Sequence, residues 1–306
     1  MEQVYDVIII GSGPAGLSAA IYAQRAKLST IIIEANYISG GQVVNTYEVD
    51  NYPGLPGISG MDLSTTLREH AEKMGSEFVR DEVLEVKLEG GVKTVATKNA
   101  EYKAKSILLA TGAKHRHLGV PGEQELSGSG VSYCATCDGA FFKNKTVAVV
   151  GGGDVAVEDA IFLARICKKV YLVHRREELR AAKILQDNLF AQENVELVWN
   201  SVVTEIQGDF QVKSVTLQNV VTKEDKKLEV DGCFIAVGII PNSELVQGQL
   251  DLDAGGYVEA GEDGVTSVPG VFAAGDVRTK QLRQIITAAS DGANCITSVQ
   301  DYLLEA

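Results

Sequence analysis

Two copies of one strand–turn–helix pattern, 140 residues apart, constrain the fold of this chain more than any other feature. In the first copy an apolar run at residues 7–10 leads into a glycine-rich turn at 11–16. In the second copy the run is at 147–150 and the turn at 151–156. A short apolar run that ends in such a turn is typical of an inner parallel strand followed by a helix. The repeat predicts an α/β chain with two Rossmann-like, three-layer nucleotide-binding domains, the second inserted in the first.

The glycines of each turn have the spacing of a dinucleotide-binding loop, in which the backbone approaches a pyrophosphate at a helix N-terminus. They are Gly11, Gly13 and Gly16 in the first copy, and Gly151, Gly153 and the equivalent Ala156 in the second. Glu34 ends the next predicted strand 23 residues after Gly11, where a carboxylate accepts hydrogen bonds from a ribose.

The second copy differs at the position where the ribose is recognised. His174 stands in place of the acid, and Arg175, Arg176 and Arg180 follow it. Guanidinium groups suit a 2′-phosphate that a carboxylate would repel, so we predict that this unit prefers NADP to NAD. An exposed helix start with salt-bridged arginines is the alternative interpretation.

A C-x-x-C pair, Cys134 and Cys137, is followed at once by Asp138, and the second apolar run begins nine residues after Asp138. A zinc site or an iron–sulfur cluster would need further ligands at suitable spacing, and the other cysteines are scattered singly. We therefore predict no metal site and interpret the pair as a redox dithiol, with Asp138 placed to exchange protons with it.

Composition sets limits on the function. The chain has 306 residues, which favours about two domains, and a net charge of −13 that does not indicate affinity for nucleic acid or anionic membranes. No apolar run approaches the ~20 residues of a membrane-spanning helix. Five cysteines with one functional pair favour a cytoplasmic protein. His115 and His117 are expected to be exposed polar residues near a domain junction.

Near its end the chain returns to the pattern of the first domain. A predicted strand runs into Gly275 and Asp276, whose carboxylate can bind ribityl or ribose hydroxyls. A long helix is predicted to open near Arg283. The partial positive charge of a helix N-terminus can stabilise a reduced flavin, which is negative near N1.

Taken together, the two glycine turns, the Cys-Ala-Thr-Cys-Asp stretch, the arginine segment and Gly275-Asp276 resemble the low-molecular-weight, bacterial-type thioredoxin reductases along the whole chain. The resemblance implies a homodimer with FAD, in which electrons pass from NADPH to FAD, to the dithiol and then to thioredoxin. It implies that Cys137 takes electrons from the flavin, that Cys134 attacks the thioredoxin disulfide, and that Asp138 acts as acid and base.

The resemblance also implies binding residues and domain limits. The FAD domain is expected at 1–117 and 242–306, and the NADPH domain at 118–241. The expected FAD residues are Gly11, Gly13, Pro14, Ala15, Gly16, Glu34, Ala35, Gly41, Gln42, Asn51, Val83, Thr111, Gly112, Gly275, Asp276, Arg283, Gln284 and Ile285. The expected NADPH residues are Gly151, Gly153, Asp154, Ala156, His174, Arg175, Arg176 and Arg180.

Three alternatives remain at this point. The acceptor could be another small redox protein, such as a glutaredoxin-like one, because partner choice depends on surface shape. A ferredoxin-fed relative would lack the second glycine turn and the arginines, both of which are present in this chain. A flavin-binding redox sensor would not need an NADPH site. Val155 replaces a serine that is frequent in the family. The loss of this hydroxyl predicts weaker binding of the NADPH pyrophosphate without a change of cofactor.

Overall fold

The computed structural model describes residues 3–46, 48, 49 and 51–305, and the chain forms two compact units. The first unit is built from Met1–Lys114 and Ile240–Ala306, and the second, His115–Ile239, is inserted between these segments. Each unit has the strand–turn–helix pattern of its sequence repeat at its centre, so the predicted α/β fold class is confirmed.

Strands and helices alternate along much of the chain. The first segment contains β1 (Val4–Ile10), α1 (Pro14–Arg25), β2 (Thr30–Glu34), α2 (Gly60–Lys73), β3 (Glu77–Arg80), β4 (Val83–Lys87), β5 (Lys93–Thr97), β6 (Glu101–Leu109) and β7 (Ala113–His115). The inserted unit contains β8 (Val131–Ser132), α3 (Ala135–Asp138), β9 (Thr146–Gly151), α4 (Asp154–Ala164), β10 (Lys169–Val173), α5 (Lys183–Phe190), β11 (Val195–Val198), β12 (Ser201–Gly208), β13 (Val212–Asn219), β14 (Asp225–Glu229) and β15 (Gly232–Ala236). The last segment contains β16 (Ile239–Pro241), β17 (Val271–Ala273) and α6 (Ile285–Glu305). Short 3-10 turns lie at Gly41–Asn45, Gly139–Phe142, Glu244–Val246 and Gly275–Val277.

The sheet of the first unit has the order β3-β2-β1-β6-β5-β4, with β17 also paired to β6. β1 is buried on both faces: Val7 and Ile9 belong to a cluster with α1 and α6, whereas Ile8 and Ile10 belong to a cluster with β4 and β5. Alternate side chains of a strand point to opposite faces, so an uninterrupted apolar run is what a strand covered on both sides requires.

The inserted unit repeats this arrangement around a parallel sheet of order β11-β10-β9-β15-β8. Val147 and Val149 pack with α4 on one face, and Ala148 and Val150 pack with the antiparallel strands β12 and β13 on the other. Both units therefore have three layers. No helix in the described part of the chain is long and apolar enough to cross a membrane.

A buried cluster of charges around Asp291 of α6 fixes the turn that follows β17. The carboxylate of Asp291 accepts hydrogen bonds from Arg278 at 2.7 and 2.9 Å, from Lys280 Nζ at 2.8 Å and from the backbone N–H of Gly275 at 2.8 Å. Burial alone would raise the pKa of Asp291, but these partners together hold it below its usual value. The cluster is thus a buried group of three charges, in which one carboxylate accepts from both cations.

We expect Asp291→Asn to lower the free energy of unfolding by about 3–5 kcal/mol, because it leaves two buried cations without their counter-ion. The carboxylate has a lowered pKa in the folded state. Its contribution is therefore present above the unfolded pKa and is lost as the pH falls through the folded pKa. Denaturant unfolding of wild type and variant over the acid range tests both points. The control is Asp301→Asn, an exposed position on the same helix. Equal losses in the two variants would contradict a stabilising role for the cluster.

Candidate functional site

The carboxyl ends of four strands of the first unit meet at one edge of its sheet, because β1 pairs in parallel with β2 and β6, and β6 with β17. Ligands of open α/β sheets bind at this edge. The segments that follow the four strands carry many of the residues expected to bind a flavin nucleotide: Gly11–Gly16, Glu34 with Ala35, Thr111 with Gly112, and Gly275 with Asp276.

Close contacts show that these segments converge. A Cβ built on Gly275, whose φ is +78°, would lie 3.0 Å from Ala15 Cβ. One built on Gly41 would lie 3.8 Å from the Cα of Gly13. The other residues expected to bind FAD also lie in this unit. Three of them form hydrogen bonds: Gln42 Nε2 donates to Ala113 O, Asn51 Nδ2 donates to Gln284 Oε1, and Thr111 Oγ1 donates to Asn242 O. Val83 begins β4, and Ile285 begins α6.

Two observations fit a ligand at this edge. Gly13 has ordinary extended geometry, with φ −71° and ψ −177°, and no described heavy atom lies within 4 Å of the Cβ it could carry. The fold itself does not require glycine there, so the open space suits a group from outside the chain. In addition, Asp276 Oδ1 and Arg283 Nε are buried without a hydrogen-bond partner among the described residues. An acceptor and a donor of this kind suit a polar ligand such as a flavin dinucleotide.

Glu34 is held by a hydrogen-bond network that the sequence did not reveal. Its Oε2 accepts from the backbone N–H and the hydroxyl of Ser12, both at 2.8 Å. The Ser39 hydroxyl lies 2.8 Å from that of Ser12, and Arg68 Nη1 donates to Ser39 at 2.9 Å. Because Ser12 gives its hydrogen to Glu34, it accepts from Ser39, and the donors run in one direction from Arg68 to the carboxylate. This network fixes the orientation of the predicted ribose-binding group.

The inserted unit places its own functional segments at one sheet edge. β9, β10, β15 and β8 are parallel to one another through successive pairings. The turn containing Gly151 and Gly153, the segment that begins at His174, and the stretch from Ser132 to Asp138 therefore leave the sheet on the same side. One strand, β15, separates β8 from β9, so the two loops start ~10 Å apart.

The second glycine turn also divides into crowded and open positions. A Cβ on Gly151 would lie 2.4 Å from Ala236 O and 2.5 Å from Ala156 Cβ, and one on Gly152 would lie 2.2 Å from the ring of His174. At Gly153, by contrast, the nearest described atom is Arg180 Nη2 at 4.0 Å. Gly153 therefore leaves open space bordered by a guanidinium group, which fits a phosphate.

The basic segment after β10 separates into a buried member and exposed members. Arg175, Arg176 and Arg180 are exposed, and the backbone N–H of Arg180 donates to Gly152 O at 2.7 Å. His174 is only 5% exposed, and burial lowers its pKa. Asp154 Oδ1 accepts from Ala182 N at 2.7 Å and fastens the end of the segment to α4.

The cysteine pair lies directly after β8. Cys134 and Cys137 form a disulfide, and both side chains are half-buried. Asp138 Oδ2 accepts a hydrogen bond from Ser132 Oγ at 2.6 Å, and the same hydroxyl accepts from the backbone N–H of Cys134 at 3.1 Å. Burial raises the pKa of Asp138, and the Ser132 bond opposes that rise in part. A carboxyl that keeps its proton longer than an exposed aspartate is suited to protonate a leaving thiolate.

A second polar cluster holds the chain on the N-terminal side of the two cysteines. Glu123 is buried, and its carboxylate accepts from Tyr133 Oη at 2.8 Å and from the backbone N–H groups of Leu118 and Gly119 at 3.0 and 2.7 Å. His117 Nδ1 lies 2.9 Å from the same tyrosine hydroxyl. Neither Glu123 nor Tyr133 was predicted, because the sequence shows no motif that links them.

The expectation for the two histidines holds for one of them. His117 is 54% exposed at its side chain, whereas His115 is half-buried and stacks on Tyr133 with ring centroids 5.0 Å apart. Burial, followed by the nearby His117, lowers the pKa of His115 to about 4. The expectation that His115 is a solvent-exposed polar residue was wrong, because nothing in the local sequence signals the stacking partner. Within the described ranges no cluster of His, Cys, Asp or Glu could hold a metal ion.

Comparisons with known proteins agree with this geometry. A family model described as pyridine nucleotide-disulphide oxidoreductase matches residues 5–292. A thioredoxin reductase of Peptoclostridium acidaminophilum is 49% identical over 310 residues, covering 99% of this chain and 98% of the relative. One of Bacillus subtilis is 48% identical, covering 99% and 96%. The crystal structure of thioredoxin reductase from Streptococcus pyogenes is 47% identical, with a TM-score of 0.94 and full coverage of both chains. The chain therefore belongs to the pyridine nucleotide-disulphide oxidoreductases and, among them, to the bacterial-type thioredoxin reductases.

Proposed function

We propose that this chain uses NADPH to reduce the disulfide of thioredoxin through FAD and the Cys134–Cys137 pair. One observation carries the proposal: the disulfide, with the half-buried Asp138 beside it, leaves the same sheet edge as an arginine-flanked glycine turn. A structural disulfide would need neither an acid of raised pKa nor a nucleotide turn on the same sheet.

The first unit would hold FAD. Gly13 leaves room for the pyrophosphate at the N-terminus of α1, and Glu34 would bind a ribose. Asp276 and Arg283 each offer a buried polar atom that has no partner among the described residues. The other residues that the family resemblance assigns to FAD all lie in this unit. FAD, when bound, carries the electron pair between the nicotinamide and the disulfide.

The inserted unit would hold NADPH. The space beside Gly153 receives the pyrophosphate, and Asp154 keeps the segment that ends at Ala182 against α4. Arg175, Arg176 and Arg180 are exposed next to that space, where they can bind a 2′-phosphate. The ring of buried His174 packs against Gly152 and so supports the glycine turn.

The family resemblance implies the roles of the two cysteines in the dithiol step, and Asp138 directly follows Cys137 in the sequence. The thiolate of Cys134 attacks one sulfur of the thioredoxin disulfide, the electron pair of the broken bond leaves on the other sulfur, and Asp138 supplies the proton. The Asp138 carboxylate then takes the proton of Cys137, and the Cys137 thiolate attacks Cys134 in the mixed disulfide. The second thioredoxin sulfur leaves with the electron pair and takes that proton from Asp138, and the Cys134–Cys137 bond is restored. We assign Cys137 to the flavin side on the basis of the family resemblance.

The same proposal covers assembly and location. A homodimer in the cytoplasm is supported by the similarity to bacterial thioredoxin reductases over the whole chain and by the single redox pair among five cysteines. Thioredoxin is the proposed acceptor because the relatives are named thioredoxin reductases.

The deciding experiment is an anaerobic titration of the purified protein with NADPH, and separately with NADH, that follows the visible absorbance of the flavin. Thioredoxin and a glutaredoxin are then compared as acceptors in steady-state turnover. We expect bleaching at stoichiometric NADPH and turnover with thioredoxin. A protein that is yellow but stays oxidised in NADPH would refute the donor assignment, and turnover with glutaredoxin alone would refute the acceptor.

Gly13→Ala and Gly153→Ala should separate the two nucleotide sites. Both positions have ordinary φ values and room for a methyl group, so each variant should fold. The methyl would fill the space meant for a pyrophosphate. We therefore expect Gly13→Ala to be purified without flavin, and Gly153→Ala to keep flavin but to need at least about tenfold more NADPH for reduction, a loss of about 1.4 kcal/mol or more. Flavin content and the reductive titration measure these effects. Unchanged cofactor binding in a folded variant would show that its turn does not contact the nucleotide.

Arg175→Ala combined with Arg176→Ala should raise the KM for NADPH by about a hundredfold or more, because a hydrogen bond to a charged group contributes roughly 1.5–3 kcal/mol. The KM for NADH should change little, since NADH has no 2′-phosphate. Arg165→Ala is the matched control, as this exposed arginine lies at the far end of α4. Parallel changes for both nucleotides would contradict recognition of the phosphate.

A further inference from the structure

Ser132 connects the redox pair to its acid through two hydrogen bonds. It is the last residue of β8, only 4% exposed, and its hydroxyl donates to Asp138 Oδ2 at 2.6 Å. The same oxygen accepts from the backbone N–H of Cys134 at 3.1 Å. A serine hydroxyl has one hydrogen, and the short contact with the carboxyl takes it in preference to the 3.3 Å contact with Cys134 O.

We propose that Ser132 is a positioning residue for the dithiol reaction, which holds the carboxyl of Asp138 beside Cys134–Cys137 and supplies the hydrogen bond that stabilises this carboxyl once it has released its proton. The proposal rests on the proposed function for the role of Asp138, and it adds a residue that the sequence motif does not include.

The position of Ser132 is fixed by the sheet and not by the loop. β8 pairs in parallel with β15, so that Ser132 lies opposite Phe234 and Val131 opposite Cys233. The short strand is entered from Gly130, whose φ is +115° and whose carbonyl accepts from Cys233 N at 2.8 Å. A hydroxyl on a paired, buried strand has few rotamers available, and its hydrogen bond therefore helps to fix the Asp138 carboxyl.

The chemical consequence concerns the two protonation states of Asp138. When the Cys134–Cys137 bond is broken by an attacking thiolate, the electron pair leaves on one cysteine sulfur, and Asp138 gives that sulfur its proton. The carboxylate that remains is half-buried and costly to leave without a donor. The Ser132 hydroxyl is that donor, so it lowers the pKa of Asp138 against the effect of burial.

The test uses Ser132→Ala in the flavin-containing protein and needs neither nicotinamide nor thioredoxin. Dithiothreitol reduces the Cys134–Cys137 disulfide, and the rate, corrected for the thiolate fraction of the reagent, is measured against pH. We expect the inflection that belongs to Asp138 to move upward by about one pH unit, the size expected when one charge-assisted hydrogen bond is lost. Ser132→Thr, which keeps the hydroxyl on a strand, should return the inflection to its original place.

Two further variants make the result decisive. Ser214→Ala removes another buried hydroxyl of the same unit, one that bonds the neutral amide of Gln207, and should leave the inflection unchanged. Asp138→Asn should abolish the inflection, and adding Ser132→Ala to it should cause no further change, as a double-mutant cycle requires.

The proposal is overturned if Ser132→Ala leaves the inflection in place, if Ser214→Ala moves it equally, or if Asp138→Asn retains it. It is also overturned if Ser132→Ala slows the Asp138→Asn protein as much as the wild type. A shift of the inflection in a protein that fails to reduce thioredoxin would support the role of Ser132 and refute only the acceptor.

Discussion

Parallel pairing of short strands that are buried on both faces is the constraint on which both units depend. Within the apolar runs of β1 and β9, residues 7–10 and 147–150, a polar functional group would be costly, because each side chain there enters an apolar layer. The polar groups of the site therefore lie after these runs, where the strands end. Since the strands are parallel, the carboxyl ends meet at one edge, and short loops bring separate parts of the chain together there. Glu34, Gly275 and the glycine turn of the first unit reach the same edge by this route, although they are far apart in the sequence.

The redox stretch is positioned in the same way, by β8, which is the shortest strand of its sheet. β8 has only two residues, yet pairing with β15 is enough to carry Ser132 to the sheet edge. The disulfide, its acid and the donor to that acid then occupy seven consecutive residues, 132–138. The local sequence thus contains the reacting groups, and the pairing of β8 in the sheet determines at which edge they lie. Burial of Asp138 beside the pair is what separates this disulfide from one that only joins two segments, since an acid exposed to water would lose its proton at a lower pH.

The sequence predicted the features that depend on local spacing. The strands, the glycine turns, the Cys134–Cys137 pair and the arginine segment follow from short-range patterns, and the structure places them on the expected elements. The sequence did not reveal the contacts between distant segments, such as the Arg68–Ser39–Ser12 hydrogen-bond chain that ends at Glu34 or the hydrogen bonds of buried Glu123. Serine, arginine and glutamate occur on any surface, so a pattern cannot distinguish a buried hydrogen-bond partner from a solvated side chain.

The glycines show how the structure refines a motif. In the first turn, a Cβ on Gly11 would lie 2.4 Å from Ala110 O, and one on Gly16 would lie 2.0 Å from Gly11 O, so the fold itself excludes side chains there. Gly13 stands between them with open space and ordinary backbone angles. The second turn repeats the distinction, with Gly151 crowded and Gly153 open. One sequence pattern therefore contains two physical requirements, close packing of the strand against the helix and close approach of a ligand to the backbone. Only the second identifies a binding site, because a tight turn without a ligand would need the crowded glycines and could carry a side chain at the open one.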